Sequence, residues 1–241
     1  AKLAGEPVRD IPYYGLMETT LEGVDIVISQ TGFTGEKGYE IYVRDAHQNA
    51  EIVWNAVLEA GEEFGLQVVA PAHHRRIAAG ILSWGQDMDF ETSPFQVNLS
   101  YQVPRNKQAD YIGKEELERQ RATIDGGNFP FKMRMVGLIF GGKQITDYAP
   151  DFWLIADTDG NDMGYITSPW WSPELNTNIA LGWVPSNSSE VGTKLLVRLP
   201  DEYSESSGVP AEGEIVDVPF RESVNPNIRE VAKAKGLDYA E

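Results

Sequence analysis

Cysteine is absent from the sequence, which removes disulfides, thiolate nucleophiles, cysteine-bound zinc and iron–sulfur ligation together. Basic charge is scarce as well. Twenty Lys and Arg stand against 37 Asp and Glu, a formal net charge of -17. Such a balance disfavours nucleic acid, whose phosphates want Lys and Arg, and an anionic membrane surface. It leaves room for an anionic small molecule, which needs only a local Arg or Lys. Histidine is limited to His47, His73 and His74. Adjacent helical side chains diverge by about 100°, so the pair at 73 and 74 is a poor metal fork and no metal site is expected. No apolar run approaches the roughly 18 residues of a membrane span. The N-terminal AKLAGEPVRD has no signal-like apolar region, so a soluble, cytoplasmic protein is expected. The chain also begins without methionine, which suggests a fragment or a processed piece.

What is present suffices for a core. The 241 residues are 41% hydrophobic, enough for one large or two small domains. Fourteen prolines and 23 glycines, spread along the chain, predict many short strands and turns instead of a helical bundle. Residues 1–22 read as a loose lead-in ending in PYYGLMETTLEG. Strands are predicted over 24–30 and 39–43, and a helix over 46–64 with Asp45 as N-cap and Gly65 as terminator. A second helix is predicted over 71–83, with Pro71 in its first turn. An acidic loop follows over 84–101, and Asp110 or Gly113 opens a further short helix. The linker falls at 124–131. Beyond it six strands, over 135–140, 152–156, 163–167, 180–184, 194–198 and 214–218, predict a small antiparallel barrel or sandwich. The segment 225–241 reads as a short terminal helix.

Several stretches allow both a structural and a chemical reading. In SQTGFTGEKGYEIYV, Gly32 and Gly35 permit positive φ and close approach of a ligand to the backbone. The Glu36 carboxylate suits two parallel N–H donors, such as the 2-amino-pyrimidinone edge of a pterin. A solvated hairpin is the alternative. In AHHRRIAAG, Arg75 and Arg76 meet carboxylates, either the protein's own or a ligand's. SWGQDMDFETSP offers Trp84 as a stacking surface among Asp87, Asp89 and Glu91. SPWWSP places Trp170 and Trp171 in what reads as a turn, where core or interdomain packing is favoured over ligand contact. Tyr13 and Tyr14 are phenols that can be buried and still donate a proton, or they are a solvent-facing pair.

Taken in order, TGFTGEKGYEIYV, RRIAAG, WGQDMDFETSP, DYIGKEEL and MGYITSPWWSPELNTNIALGWV resemble the aminomethyltransferase family, the folate-binding T-proteins of the glycine cleavage system and their relatives. The resemblance runs from about residue 23 to 220. It implies an α+β chain: part of a tetrahydrofolate-binding domain over 1–127, then a C-terminal antiparallel β-barrel domain with its tail over 128–241. Glu36 matches the acid of the family's TGxTGE loop, which contacts the pterin, and Phe33 on the same loop is placed with it among the folate contacts. Arg76 matches the second Arg of the family's ARDSLRLEAG helix, near the folate's glutamate end. Trp84 falls where the family has an aromatic residue before Gly-Asn-Asp. Ala72 replaces the first Arg of that helix, and the family's N-terminal half, with its catalytic aspartate and one wall of the pocket, has no counterpart in the sequence. That missing half is therefore an implied partner.

The lead-in PYYGL and the segment 72–117 resemble the branch of tetrahydrofolate-dependent demethylases, with the aryl O-demethylases of vanillate, syringate or 3-O-methylgallate as the nearest type. The resemblance implies methyl transfer from a methoxy-aromatic acid to tetrahydrofolate, leaving a phenol. Tyr14 or Tyr13 would protonate the departing oxygen, since a phenol with a pKa of roughly 10 matches the phenol being formed. Alternatives are a dimethylsulfoniopropionate demethylase, a glycine cleavage aminomethyltransferase that needs a lipoyl carrier, and a non-enzymatic folate-binding factor for iron–sulfur assembly. The absence of cysteine counts against the last.

Overall fold

Leu21 and Val24 are joined by Glu22 and Gly23, both at positive φ, the backbone of a two-residue hairpin whose twist matches its strands. In the computed structural model, which describes residues 2–71, 73–105 and 107–220, that hairpin joins β1 (Leu16–Leu21) to β2 (Val24–Ser29). With β3 (Glu40–Val43) they form an antiparallel sheet in the order β1-β2-β3. Its inner face buries Leu21, Val24, Ile26 and Ile28 against Val53 of helix α1 (Ala46–Gly61). The sequence reading treated β1 as a loose lead-in. The period-2 placing of Met17, Thr19 and Leu21 and the Glu22-Gly23 turn were the sequence signals available. Helix α1 ends one short 3-10 turn before Gly65, at φ +68, as expected. Asp45, however, is not an N-cap by side chain: its own φ is 48 and it makes no capping hydrogen bond. A capping residue needs extended backbone to bring its oxygen onto the N2 or N3 amide.

Helix α2 is shorter than predicted, His73–Ala78, and Pro71 lies outside it. Gly80 at φ +69 terminates it, with the Ile81 N–H donating to the Arg76 carbonyl at 2.8 Å, the closing bond of a Schellman turn. Helix α3 (Lys114–Asp125) opens after Gly113, one of the two expected positions.

Six strands then close into an antiparallel barrel in the order β4-β7-β6-β5-β8-β9, with β9 returning to β4. They are β4 (Met133–Phe140), β5 (Trp153–Ala156), β6 (Asp162–Ser172), β7 (Thr177–Pro185), β8 (Lys194–Val197) and β9 (Ala211–Val216). Strand β6 runs through SPWWS, so Trp170 and Trp171 lie in a strand and not in a turn. Strand β7 is buried along almost its whole length because its two faces meet different cores. Ala180 and Val184 face the barrel interior with Leu138, Ile155 and Ile215. Ile179, Leu181 and Trp183 alternate with them and pack against Ile77, Ala78 and Val97.

That outer packing has a consequence for the domain division. The contacts divide the chain into two compact units between residues 72 and 73, because α2 and the loops after it cover the outside of the barrel. The expected helix over 225–241 lies outside the described residues.

Candidate functional site

Register brings two separated sequence motifs to one end of the first sheet. Leu16 pairs with Ser29, and Ser29 pairs with Glu40. PYYG, before β1, and residues 30–39, between β2 and β3, therefore leave the sheet at the same end. Hydrogen bonds tie them: the Tyr14 N–H donates to the Gln30 carbonyl at 3.1 Å, the Gln30 N–H to the Gly15 carbonyl at 3.0 Å, and Ser29 Oγ to the same carbonyl at 3.2 Å. The Thr31 hydroxyl lies within bonding reach of Ser29 Oγ and Glu40 Oε2.

Tyr14 sits at φ 61, a conformation rare for an aromatic residue and found where surrounding structure imposes it. Its ring packs on Tyr13 with centroids 4.2 Å apart, and the two hydroxyl oxygens lie within hydrogen-bonding distance at 3.4 Å. Burial first, then that hydrogen bond and the neighbouring phenol, push the Tyr14 pKa well above its ordinary value. In the adjoining loop Gly35 takes φ +73. Gly32 is not among the positive-φ residues, and a Cβ there would meet nothing within 4 Å, so only one of the two glycines is conformationally required. The Glu36 N–H donates to Thr34 Oγ1 at 3.2 Å, its side chain is partly exposed, and Phe33 is an exposed ring.

Arg76 answers the question the sequence left open, in favour of an internal ion pair. Its side chain is 1% exposed and its guanidinium meets Asp87 Oδ2 at 2.6 Å. The same group donates to the Ile81 carbonyl at 3.2 Å and to Ser168 Oγ at 2.7 Å. Asp87 accepts further bonds from the Ser83 N–H at 2.8 Å, Thr167 Oγ1 at 2.6 Å and Ser168 Oγ at 2.5 Å. Neighbouring strand residues normally point to opposite faces. A bulge in β6 between Ile166 and Ser168 breaks that alternation and lets both hydroxyls reach one carboxylate. Asp87 thus fastens the 83–88 loop to β6 and β7, with its own carbonyl accepting from Trp183 Nε1 at 3.0 Å. On that anchored loop Trp84 is exposed and packs edge-to-face on Phe90 at 4.7 Å. Arg76 acts here as the clamp that positions Trp84's loop. Asp87 was legible only as one acid among several, since its partners come from residues 76 and 167–168.

Phe33, Glu36, Tyr13 and Tyr14 thus belong to the first compact unit, and Arg76 and Trp84 to the second. Trp170 and Trp171 are half-buried in β6, and Trp170 packs on His73 and Tyr148. His73, expected from the sequence to sit on a polar helix turn and not to bind metal, is a buried imidazole. Among the described residues no group of three or more His, Asp or Glu is placed to hold a metal ion, and no helix is long and apolar enough to cross a membrane.

Comparison with known proteins gives two family matches. Residues 2–107 match the GCVT N-terminal domain, and residues 133–220 match the glycine cleavage T-protein C-terminal barrel domain. The chain is 31% identical over 201 residues to the dimethylsulfoniopropionate demethylase DmdA of Ruegeria pomeroyi, covering 83% of this chain and 52% of that protein. It is 32% identical over 224 residues to an aminomethyltransferase of Thermotoga maritima, covering 91% of this chain and 55% of the relative. The fold is shared with the glycine cleavage system aminomethyltransferase T of Bartonella henselae, at a TM-score of 0.71 and 22% identity over 91% of this chain and 55% of that one. The chain spans about half the length of the curated relatives it matches.

Proposed function

The chain belongs to the glycine cleavage T-protein (aminomethyltransferase) family, and from that premise we propose that it is part of a tetrahydrofolate-dependent methyltransferase that demethylates a methoxy-aromatic acid of the vanillate, syringate or 3-O-methylgallate type. The observation that carries this reading is the shared sheet end, where a tyrosine pair and a loop with a partly exposed carboxylate are bonded through Ser29 and Gln30. A transfer that leaves a phenolate needs a proton donor at the departing oxygen. A transfer to a pterin needs a carboxylate for its paired N–H groups.

The chemistry of these residues fits the cofactor. Glu36 can hold the N–H edge of a pterin, and Phe33 offers an exposed ring beside it. Tetrahydrofolate, when bound, would supply the nucleophilic N5 that takes the methyl group and would release the N5 proton to solvent. Tyr14 gives its proton to the phenolate oxygen as the C–O bond breaks. The Tyr13 and Tyr14 hydroxyl oxygens lie 3.4 Å apart, close enough for one phenol to pass a proton to the other. Tyr13 then returns a proton to Tyr14, and is itself reprotonated from solvent. Tyr14 is the acid in this scheme and Tyr13 the relay. A raised Tyr14 pKa keeps the donor protonated throughout the neutral range and makes it a weaker acid than an ordinary phenol.

A second reading has an observation of its own. Similarity to a dimethylsulfoniopropionate demethylase favours a sulfonium methyl donor, whose neutral thioether leaving group needs no proton. One experiment separates the two. Tetrahydrofolate is titrated into the protein, and methoxy-aromatic acids and dimethylsulfoniopropionate are then compared for formation of 5-methyltetrahydrofolate. Product from the aryl ethers alone supports the first reading, and product from the sulfonium alone replaces it with the second. Failure to bind tetrahydrofolate removes both.

A further inference from the structure

His73 Nε2 is a buried polar atom with no hydrogen-bond partner among the described residues. Its protonation follows from geometry. Arg76 Nε–H can only donate, and it donates to His73 Nδ1 at 3.4 Å, so the neutral ring carries its proton on Nε2. Burial, then the Arg76 charge, lowers the imidazole pKa, with Asp87 opposing, which keeps the ring neutral near pH 7. An N–H donor that is dry and unpaired is an uncommon feature of folded proteins and asks for an explanation.

Two rings lie against this imidazole: Tyr148 edge-on at 4.2 Å and Trp170 tilted at 5.4 Å. A ring face is a weak substitute for an oxygen acceptor. The two rings differ in how they are held. Trp170 is a residue of β6, registered against Ile179. Tyr148 belongs to the 141–152 connection between β4 and β5, is 60% exposed, and its hydroxyl makes no hydrogen bond among the described residues. The base of that connection is fixed instead at Ile145, which is buried and whose carbonyl accepts from the Trp171 N–H at 2.8 Å. Rotation of the Tyr148 ring away from the imidazole would break no side-chain hydrogen bond among the described residues, while Ile145 keeps the loop anchored.

We propose that His73, Trp170 and the Tyr148 loop form a binding subsite for a phenolic or methoxy-aromatic ring, whose oxygen accepts the His73 Nε2–H and whose ring takes the place of Tyr148. The present occupant is itself a phenol, so the space beside His73 and Trp170 has the aromatic walls and the size that a free phenol requires. The Arg76 charge is matched by Asp87, which favours an uncharged ring and its oxygen over a fully ionic ligand at this point. The inference rests on the proposed methyl-transfer reading for the class of ring, and it extends that reading to residues with no assigned role.

The test titrates 2-methoxyphenol into the 15N-labelled full chain while following the His73 Nε2–H resonance, with toluene as a ring lacking oxygen. A saturable shift with 2-methoxyphenol and none with toluene is the expected result. Tyr148→Ala, which removes the tethered competitor, should tighten binding about threefold or more. His73→Phe, which keeps a ring and removes the donor, should weaken it about tenfold. Absence of binding, binding that leaves the His73 resonance unmoved, or weaker binding to Tyr148→Ala each overturns the proposal. Should His73→Phe fail to fold, the resonance in the unaltered chain decides alone. A parallel tetrahydrofolate titration separates the two levels. Tetrahydrofolate binding with a silent His73 sinks the subsite and leaves the enzyme reading standing, whereas a responsive His73 without tetrahydrofolate binding does the reverse.

Discussion

At the scale of single residues, Tyr14 combines three features: a left-handed backbone, a raised pKa and a neighbouring phenol within hydrogen-bonding distance. The proton-donor role predicts an asymmetry between the two tyrosines. Tyr14→Phe should lower the rate of 5-methyltetrahydrofolate formation about a hundredfold or more, the usual range for a lost general acid. Tyr13→Phe, which leaves Tyr14 its own proton, should keep the rate within about tenfold. Equal rates for Tyr14→Phe and the unaltered protein would remove the acid. The pair was visible in the sequence, but the choice between its members was not, because the left-handed backbone and burial of Tyr14 leave no mark on the sequence. His73 carries a second prediction. Its pKa is lowered on folding, so the unfolded chain binds the proton more readily than the native state. Stability from this group is present above about pH 6.5, the ordinary imidazole value, and is lost as pH falls through the lower folded pKa. Arg76, Asp87 and Tyr148 are the titratable groups facing it. Urea unfolding of His73→Phe should show a flatter decline in stability between pH 7 and 5 than the unaltered chain, and identical slopes would refute the assignment.

Among elements, the clamp between α2, the 83–88 loop and β6 depends on a fully buried ion pair. Deleting one partner leaves the other charged and dry, so Arg76→Met or Asp87→Leu alone should destabilise by about 3–5 kcal/mol. The double variant should cost much less than the sum, because two apolar groups of similar volume leave no orphan charge. Equilibrium denaturation of the three variants forms the cycle, and simple additivity would mean that the pair is not coupled. Strands β6 and β7 supply a further case. A Cβ on Gly164 would lie 2.1 Å from the Trp183 carbonyl oxygen. Gly164→Ala should therefore force the strands apart and cost about 1–3 kcal/mol, read as a lowered denaturation midpoint. An unchanged midpoint would mean that the strands yield freely. The existence of these strands was legible from apolar runs between turns, and their ends were short by one to several residues. The Ile166/Ser168 bulge was not legible, since it follows from pairing with Leu181 and from Asp87 reaching across from residue 87. Helix α2 was read too long because the apolar pattern continues past Gly80, where a positive φ stops the helix.

Over the whole chain, the order of motifs carried more information than any one of them. TGFTGE, RRIAAG and WGQDMD in sequence implied a folate-binding domain and a barrel, and the barrel is closed as that resemblance implied. Packing of Ile77 and Val97 on the barrel leaves no trace in composition, so the division into compact units after residue 72 was not legible in the sequence. Net charge acts at this scale too. At -17, the chain repels an anionic ligand over distances of about a Debye length, roughly 10 Å at 0.1 M salt and about 30 Å at 0.01 M. Reduced folates carry glutamate carboxylates, so encounter is opposed by the field of the protein even where a local contact is favourable. The association rate constant of tetrahydrofolate should accordingly rise as ionic strength goes from about 0.01 to 0.1 M, since salt screens the repulsion. Stopped-flow fluorescence through the exposed Trp84 would follow it. A rate that falls with salt would instead require a local cationic patch strong enough to outweigh the net charge.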